Sequence, residues 1–301
     1  DVTRHDLEQQ MTTPLAPMRI AITGASGMVG TALTPFLTAQ GHTVVPVSRR
    51  ALPGGIQWDP EAGVIRAADF EGLDAVIHLA GENIAAARWT TARKAALRGS
   101  RVGPTALLAR TLAGLARPPR ALLSVSAIGI YGDRGDERLT EASALGHDFL
   151  GELGAAWERA ADPAADAGIR VVHPRFGIIL TPEGGALAKL LPVARLGLNG
   201  PLGGGQQWMS WIALDDVLGA LHHVLAHEAI HGAVNTVAPT AVRNRDFAHT
   251  LGHVLGRPAF LPVPATALKL LFGEMAEATL LGSAHVVPGV LEATAYRFRY
   301  P

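Results

Sequence analysis

The stretch "MRIAITGASGMVGTALTPFLTAQGHTVVPVSRR", Met18 to Arg50, constrains the fold more than any other part of the chain. A short apolar run predicts a buried strand. "TGASGMVG" follows it, then a helical pattern ending at Gly41, then a second strand, "TVVPVS". A glycine turn joining a strand to a helix inside a βαβ unit is the context in which glycines serve a dinucleotide. Gly24 permits the tight turn, Gly27 lets backbone amides approach a diphosphate, and Gly30 lets helix pack on strand. Ala25, Ser26, Met28 and Val29 complete the turn, and the helix start offers oriented N–H groups and partial positive charge.

Enzymes that use NAD place an acid at the end of the second strand to accept from the ribose 2′-hydroxyl. This chain has Ser48, Arg49 and Arg50 there. A guanidinium serves a free hydroxyl poorly and pairs well with a 2′-phosphate, so the expected cofactor is NADP(H). The plainer alternative is an arginine that solvates a strand end. Leu79, Ala80 and Gly81 close the next strand, either passing under the adenosine half of the cofactor or simply turning the chain.

Further strands are expected at "DAVIHLAG", "RALLSVSAIG" and "IRVVHPRFGIIL", alternating with helices over Trp89–Ala116 and "FLGELGAAWERAADPAADAG". That alternation predicts an α/β protein with a doubly wound parallel sheet, residues 18–175. Residues 176–301 are expected to form a smaller substrate region partly interleaved with it. There, "LPVARLGLNGPLGGGQQWMSWIALDDV" reads as a glycine-rich loop around a pocket. Helices are expected near Asp216–His227, at Asn244–Leu255 and at Ala265–Leu281, with a strand at "GAVNTVA". Residues 1–17, polar with two prolines, read as a disordered leader or extension.

Composition narrows the function. The 26 basic and 26 acidic residues cancel, which removes the global positive field that a nucleic acid or anionic membrane partner would need. No apolar run approaches the roughly 20 residues of a membrane span. The chain has no cysteine, which rules out disulfides and thiolate chemistry and fits a cytoplasmic location. His223, His227 and His231 are spaced by four but lack the HExxH order of a zinc protease and read as a solvated helix face, so no metal is expected. Asp215 and Asp216 read as a helix N-cap and first-turn acid.

"TGASGMVG" with "VSRR", "HLAGENI", "GSR", "SVSAIGIYGD", "PRFGIIL", "GPLGGGQQWMSWI", "NTVAP" and the terminal "FRYP" resemble, in order, the atypical extended short-chain dehydrogenase/reductases of the epimerase family. In bacteria these proteins also carry a cell-division-inhibitor-like label. The resemblance covers Met18 to Pro301 and implies a Rossmann-type fold, NADP(H) binding and a C-terminal substrate domain, but no defined reaction. It implies that Ser48 and Arg49 face the 2′-phosphate, Leu79 and Ala80 the ribose, and that Arg101 reaches back toward the cofactor. Ile179 would lie beside the nicotinamide.

Short-chain enzymes move the substrate proton with a Tyr whose pKa is lowered by a Lys four residues later. Aligning Glu158 with the glutamate that usually follows that lysine puts Leu150 at the tyrosine position and Gly154 at the lysine position. The chain's tyrosines are Tyr131, Tyr296 and Tyr300, and none has a lysine four residues on. Ser126 and Tyr131 remain as catalytic candidates at the carboxyl end of a strand; an anchoring role for the Tyr131 hydroxyl is the alternative. Glu82, Asn83, Gln207 and Trp211 are the candidate contacts for a small polar, sugar-like substrate, among polar and aromatic neighbours that suit one. Two functions stay open: an oxidoreductase or epimerase-like enzyme with a nonstandard site, and a non-catalytic NADP(H) sensor acting on a partner.

Overall fold

The computed structural model describes residues 15–301, so residues 1–14 of the expected leader lie outside the described residues. The first half runs β1 (Arg19–Thr23), α1 (Met28–Ala39), β2 (Thr43–Ser48), β3 (Ile56–Asp59), β4 (Val64–Ile65), β5 (Ala75–His78), α2 (Thr91–Ala113), β6 (Ala121–Ser124), β7 (Ser126–Ala127), β8 (Arg138–Leu139), α3 (Phe149–Arg159), α4 (Asp162–Asp166) and β9 (Arg170–Phe176). It continues with β10 (Ile178–Thr181), α5 (Gly185–Arg195), β11 (Trp208–Met209), β12 (Trp211–Ala213), α6 (Leu214–Ala226), β13 (Gly232–Thr236), β14 (Val242–Arg243), α7 (Asn244–Leu255), α8 (Ala265–Phe272), β15 (His285–Val286) and α9 (Gly289–Ala293).

The central sheet has the order β13-β9-β6-β5-β1-β2-β3-β4, with β7 also on β9. Its neighbours are parallel apart from the antiparallel β3–β4 pair. Alternate residues of each strand enter two separate cores. Ile20, Ile22, Ala75, Ile77, Ala121 and Leu123 pack with Leu33 and Leu37 of α1 and the apolar face of α6. Ala21, Val76, Leu122 and Val171 pack with Leu108, Ala109 and Leu112 of α2. This two-sided burial is why the strands read as near-continuous apolar runs.

From β1 the chain winds outward through β2 and β3, then returns to β5 on the other side. The crevice at the carboxyl ends of β1 and β5 is therefore the topological switch point, where open α/β sheets bind ligands. β13 comes from the second half of the chain yet pairs with β9, so both regions share one sheet.

Several predicted elements change. The helix expected over Trp89–Ala116 is Thr91–Ala113: the Thr90 side chain caps it by accepting from the Arg93 N–H, and Trp89 lies before it, in an apolar cluster. The helix expected over Ala265–Leu281 stops at Phe272. Gly273 has φ +61°, and a π-helical turn over Ala276–Leu281 follows. The expected glycine loop contains β11 and β12, which pair with β14 and β10.

Candidate functional site

The glycine turn is shaped by contacts that no side chain would tolerate. Gly24 has φ +69°, and a Cβ there would lie 2.9 Å from the Leu79 carbonyl carbon. A Cβ on Gly30 would overlap the Gly24 carbonyl oxygen and stand 2.6 Å from Ala25 Cα. The Gly27 N–H donates to Gly24 O at 2.9 Å, and Gly27 opens α1 with neither a side-chain cap nor an acid in the first turn. The first amides of α1, at Met28, Val29 and Gly30, thus start a helix whose positive end is neutralised by no residue of its own. Ser26 and Gly27 are exposed beside it. The cradle fits a diphosphate.

At the end of β2, next to this turn, the Ser48 hydroxyl accepts from the Arg50 N–H at 3.1 Å, and Gln57 donates to the Arg49 carbonyl. The Arg49 and Arg50 side chains are exposed, and neither has a carboxylate within ion-pair distance among the described residues.

Beneath the crevice runs a buried polar chain that the sequence reading missed. Thr23 Oγ1 accepts from the Leu79 and Ala80 N–H groups at 3.1 and 3.3 Å and lies 2.7 Å from His78 Nδ1. With both its acceptor positions used, Thr23 donates to His78, which puts the ring proton on Nε2. Nε2 then donates to Thr105 Oγ1 at 2.9 Å, which also receives the Trp157 indole N–H at 3.1 Å. Burial lowers the His78 pKa to about 4, so the ring is neutral at pH 7. The chain fixes the backbone of Leu79 and Ala80 relative to the glycine turn. Its signal in the sequence is a histidine inside an otherwise apolar strand.

Gly81 packs beside the Arg101 guanidinium. Arg101 donates to the Glu82 carbonyl at 2.7 Å and the Leu97 carbonyl at 3.1 Å, and its guanidinium lies over the Trp157 ring. Burial lowers its pKa to about 10, which leaves it charged. Arg101 therefore shapes the 81–82 backbone at the crevice edge. The Glu82 carboxylate pairs with Arg93 of α2, and the Asn83 side chain accepts from the Ala85 N–H in its own loop, so both expected substrate contacts already have protein partners.

The two catalytic candidates separate. Ser126 is 2% exposed at the carboxyl end of the sheet, and its hydroxyl has no hydrogen-bond partner among the described residues; the Ser124 hydroxyl is in the same position. Tyr131 is fully buried: its hydroxyl donates to Asn235 Oδ1 at 2.6 Å and accepts from Arg175 Nη1 at 2.8 Å. Burial raises its pKa. The anchoring role fits these contacts, and the acid role does not, because the hydroxyl faces the core and has no open side.

Leu150 and Gly154 lie on the face of α3 that meets the turn before Tyr131. A Cβ on Gly154 would be 2.8 Å from Ile130 Cγ1, and one on Gly129 would be 3.1 Å from Leu150 Cδ1. Leu150 is 8% exposed, in a cluster with Trp89, Leu97, Leu153 and Met275.

On the far side of the glycine turn is a cleft of about 820 Å³, bounded by Ser26–Met28, Leu180–Glu183, Trp211, Ala213–Asp215 and Tyr300. β10 carries Ile179 into parallel register with Ile212, so Ile179 packs on the core just ahead of this wall. The Trp211 indole donates to the Thr240 carbonyl, leaving its ring to line the cleft. Gln207 does not join it. Its amide donates to the Leu202 and Leu280 carbonyls at 3.1 and 2.8 Å, and it is 9% exposed, so it ties two segments together and has no face for a substrate.

The histidine series breaks because α6 ends at Ala226, short of His231. The His223 and His227 rings lie 3.8 Å apart, tilted by 31°, and His223 bonds Thr294. No group of three potential ligands is placed to hold a metal among the described residues. No helix among them is long and apolar enough to cross a membrane.

A family profile described as the NAD dependent epimerase/dehydratase family matches residues 20–237, and one described as a domain of unknown function (DUF1731) matches residues 263–301. The chain is similar to the epimerase family protein Mb2239 of Mycobacterium bovis, 39% identical over 285 residues and 93% of each chain. Among solved structures it is similar to human epimerase family protein SDR39U1, crystallised with NADPH, at 38% identity and TM-score 0.87, covering 94% of this chain and 96% of that one. It is also similar to a nucleoside-diphosphate sugar epimerase from Corynebacterium glutamicum, at 37% identity and TM-score 0.81, covering 98% of this chain and 58% of that one.

Proposed function

Because the chain belongs to the NAD-dependent epimerase/dehydratase family, we propose that it binds NADP(H) at the β1–β5 switch point, and that cofactor occupancy rather than standard short-chain turnover is its output. The glycine cradle supports the first part: it fits a diphosphate on the amides of Met28, Val29 and Gly30. The half-buried Ser48 and the exposed Arg49 and Arg50 at the end of β2 suit a 2′-phosphate, and the similar human protein was crystallised with NADPH. Leu79, Ala80 and Gly81 would flank the ribose, with Arg101 holding their loop from below and Ile179 beside the nicotinamide.

When bound, the cofactor supplies a hydride donor or acceptor. The chain's own residues lack the means to move the matching proton by the family's usual route. Position 154 has no room for a lysine against Ile130, and this observation carries the reading. At position 150 an apolar side chain is sealed into a cluster with Trp89 and Met275, and the Tyr131 hydroxyl is spent on Asn235 and Arg175.

A second reading rests on Ser126. A buried hydroxyl with no partner among the described residues, at the end of the sheet where ligands bind, is suited to hydrogen-bond a small hydroxylated or carbonyl substrate in a nonstandard oxidoreductase. The two readings separate when NADPH-loaded protein is screened against sugar and carbonyl compounds while cofactor fluorescence is followed. The binding reading expects tight NADPH binding and no oxidation across the panel. Turnover that Ser126→Ala abolishes would replace it with the second.

A further inference from the structure

We infer that the last residues of the chain, in the segment matched only to a domain of unknown function, form part of the cofactor site, with Tyr300 as a wall of its diphosphate–nicotinamide half and Asp216 as the residue that positions it. This inference rests on the NADP(H) reading above and extends it to a region for which that reading has no role.

Asp216, in the first turn of α6, is 1% exposed and has no cationic partner among the described residues. Its carboxylate is instead filled by the C-terminal segment: Oδ1 accepts from the Arg299 N–H at 2.7 Å and the Tyr296 hydroxyl at 3.1 Å, and Oδ2 accepts from the Tyr300 N–H at 2.9 Å. Two consecutive backbone amides on one buried carboxylate fix the chain direction at 299–300 far better than side-chain packing would. Asp215, one residue earlier, adds an ion pair to the Arg299 guanidinium at 2.9 Å.

The clasp delivers the Tyr300 side chain, 45% exposed, to the cleft that Gly27, Met28, Thr181 and Trp211 also line. Gly27 and Met28 belong to the diphosphate cradle itself. A half-exposed aromatic ring, held by its backbone at the rim of a ligand cleft, gains buried contact area when the ligand arrives. Arg49, at the end of β2, is absent from the wall of this cleft, so the two features act on opposite halves of the dinucleotide.

The test measures affinity of the full chain and its variants for NADPH, by cofactor fluorescence, and for adenosine 2′,5′-bisphosphate, which lacks the half that Tyr300 would touch. Tyr300→Ala is expected to weaken NADPH roughly 3- to 10-fold, mainly through faster dissociation, with adenosine bisphosphate affinity and Tm unchanged. Tyr300→Phe keeps the ring and should retain wild-type affinity. Asp216→Asn should weaken NADPH too, but add nothing on the Tyr300→Ala background, since both act through one ring. Unaltered NADPH affinity in Tyr300→Ala, or equal loss for both ligands, overturns the inference while leaving the cofactor reading intact. Wild-type protein that binds neither ligand overturns the cofactor reading, and this inference with it.

Discussion

Gly154 on α3 backs directly onto Ile130: a single added carbon at 154 would stand 2.8 Å from Ile130 Cγ1, in a place where Ile130 is 1% exposed and cannot move aside. In a free helix Gly→Ala gains about 1 kcal/mol from backbone propensity. Here the overlap opposes that gain, because overpacking a closed core costs about 1–3 kcal/mol. Gly154→Ala is therefore expected to lower stability by about 1 kcal/mol, read as a fall in the urea midpoint with an unchanged m-value. A raised midpoint would show that the helix slides away from Ile130 freely and that a longer side chain fits there.

In the proposed cofactor reading, Arg49 is the residue on which the choice between the two nicotinamide cofactors turns. A charge-assisted bond to phosphate contributes about 1.5–3 kcal/mol, reduced at an exposed site by solvent and salt. Arg49→Ala should weaken NADPH about tenfold, leave NADH nearly unchanged, and flatten the salt dependence of NADPH binding. Titrating both cofactors at low and high ionic strength checks all three. Equal losses would mean that the guanidinium only solvates the strand end.

His78 makes the fold acid-sensitive. Its folded pKa of about 4 lies below the ordinary 6.5, so the unfolded chain takes up the proton first as pH falls. The stabilisation is complete above pH 6.5 and drains away as the pH drops toward 4, by up to about 3 kcal/mol. Burial lowers His223 to about 4 as well, so both add to the same slope. Urea unfolding at a series of pH values should show stability falling across this window. Nitrogen chemical shifts should keep His78 neutral and protonated on Nε2 at pH 5.5, and a His78 ring that titrates near 6.5 would refute the assignment.

How much of this was legible in the sequence depends on whether a residue's role was local. The glycine turn and the positions of β1, α1, β2 and α7 were readable because strand, turn and helix signals there act within a few residues. The stop at Gly273 was missed because apolar periodicity continues through it, and only the positive φ breaks the helix. Asp216 reads correctly as a first-turn acid, yet its partners are some 80 residues away and carry no sequence mark. Gln207 follows a glycine loop and so looked like a pocket residue; its true partners, two carbonyls on separate segments, exist only after folding. Tyr131 sits at the expected sheet end, but its direction is set by Arg175 and Asn235, which β9 and β13 bring in from 44 and 104 residues away.

That last network gives a prediction that separates structure from chemistry at Tyr131. The Arg175 guanidinium forms a two-point pair with Glu158, at 2.8 Å from Nε and 2.7 Å from Nη2, and donates its remaining Nη1 to the Tyr131 hydroxyl. Side-chain exposures of 6% for Arg175 and 13% for Glu158 leave little water to replace a lost partner. Glu158→Ala strands a buried cation and should cost about 3–5 kcal/mol. Tyr131→Phe leaves Arg175 Nη1 and Asn235 Oδ1 each one partner short, and should cost about 1–3 kcal/mol. Because the three groups form one network, the double variant should lose less than the two single losses added together. Unfolding by urea for the four proteins gives the coupling directly. NADPH affinity, measured on the same samples below their unfolding midpoints, should not change in Tyr131→Phe, since the hydroxyl points into the core and not the crevice. A Tyr131→Phe protein that is fully stable but loses cofactor-linked turnover would return this tyrosine to the reaction and remove it from the scaffold.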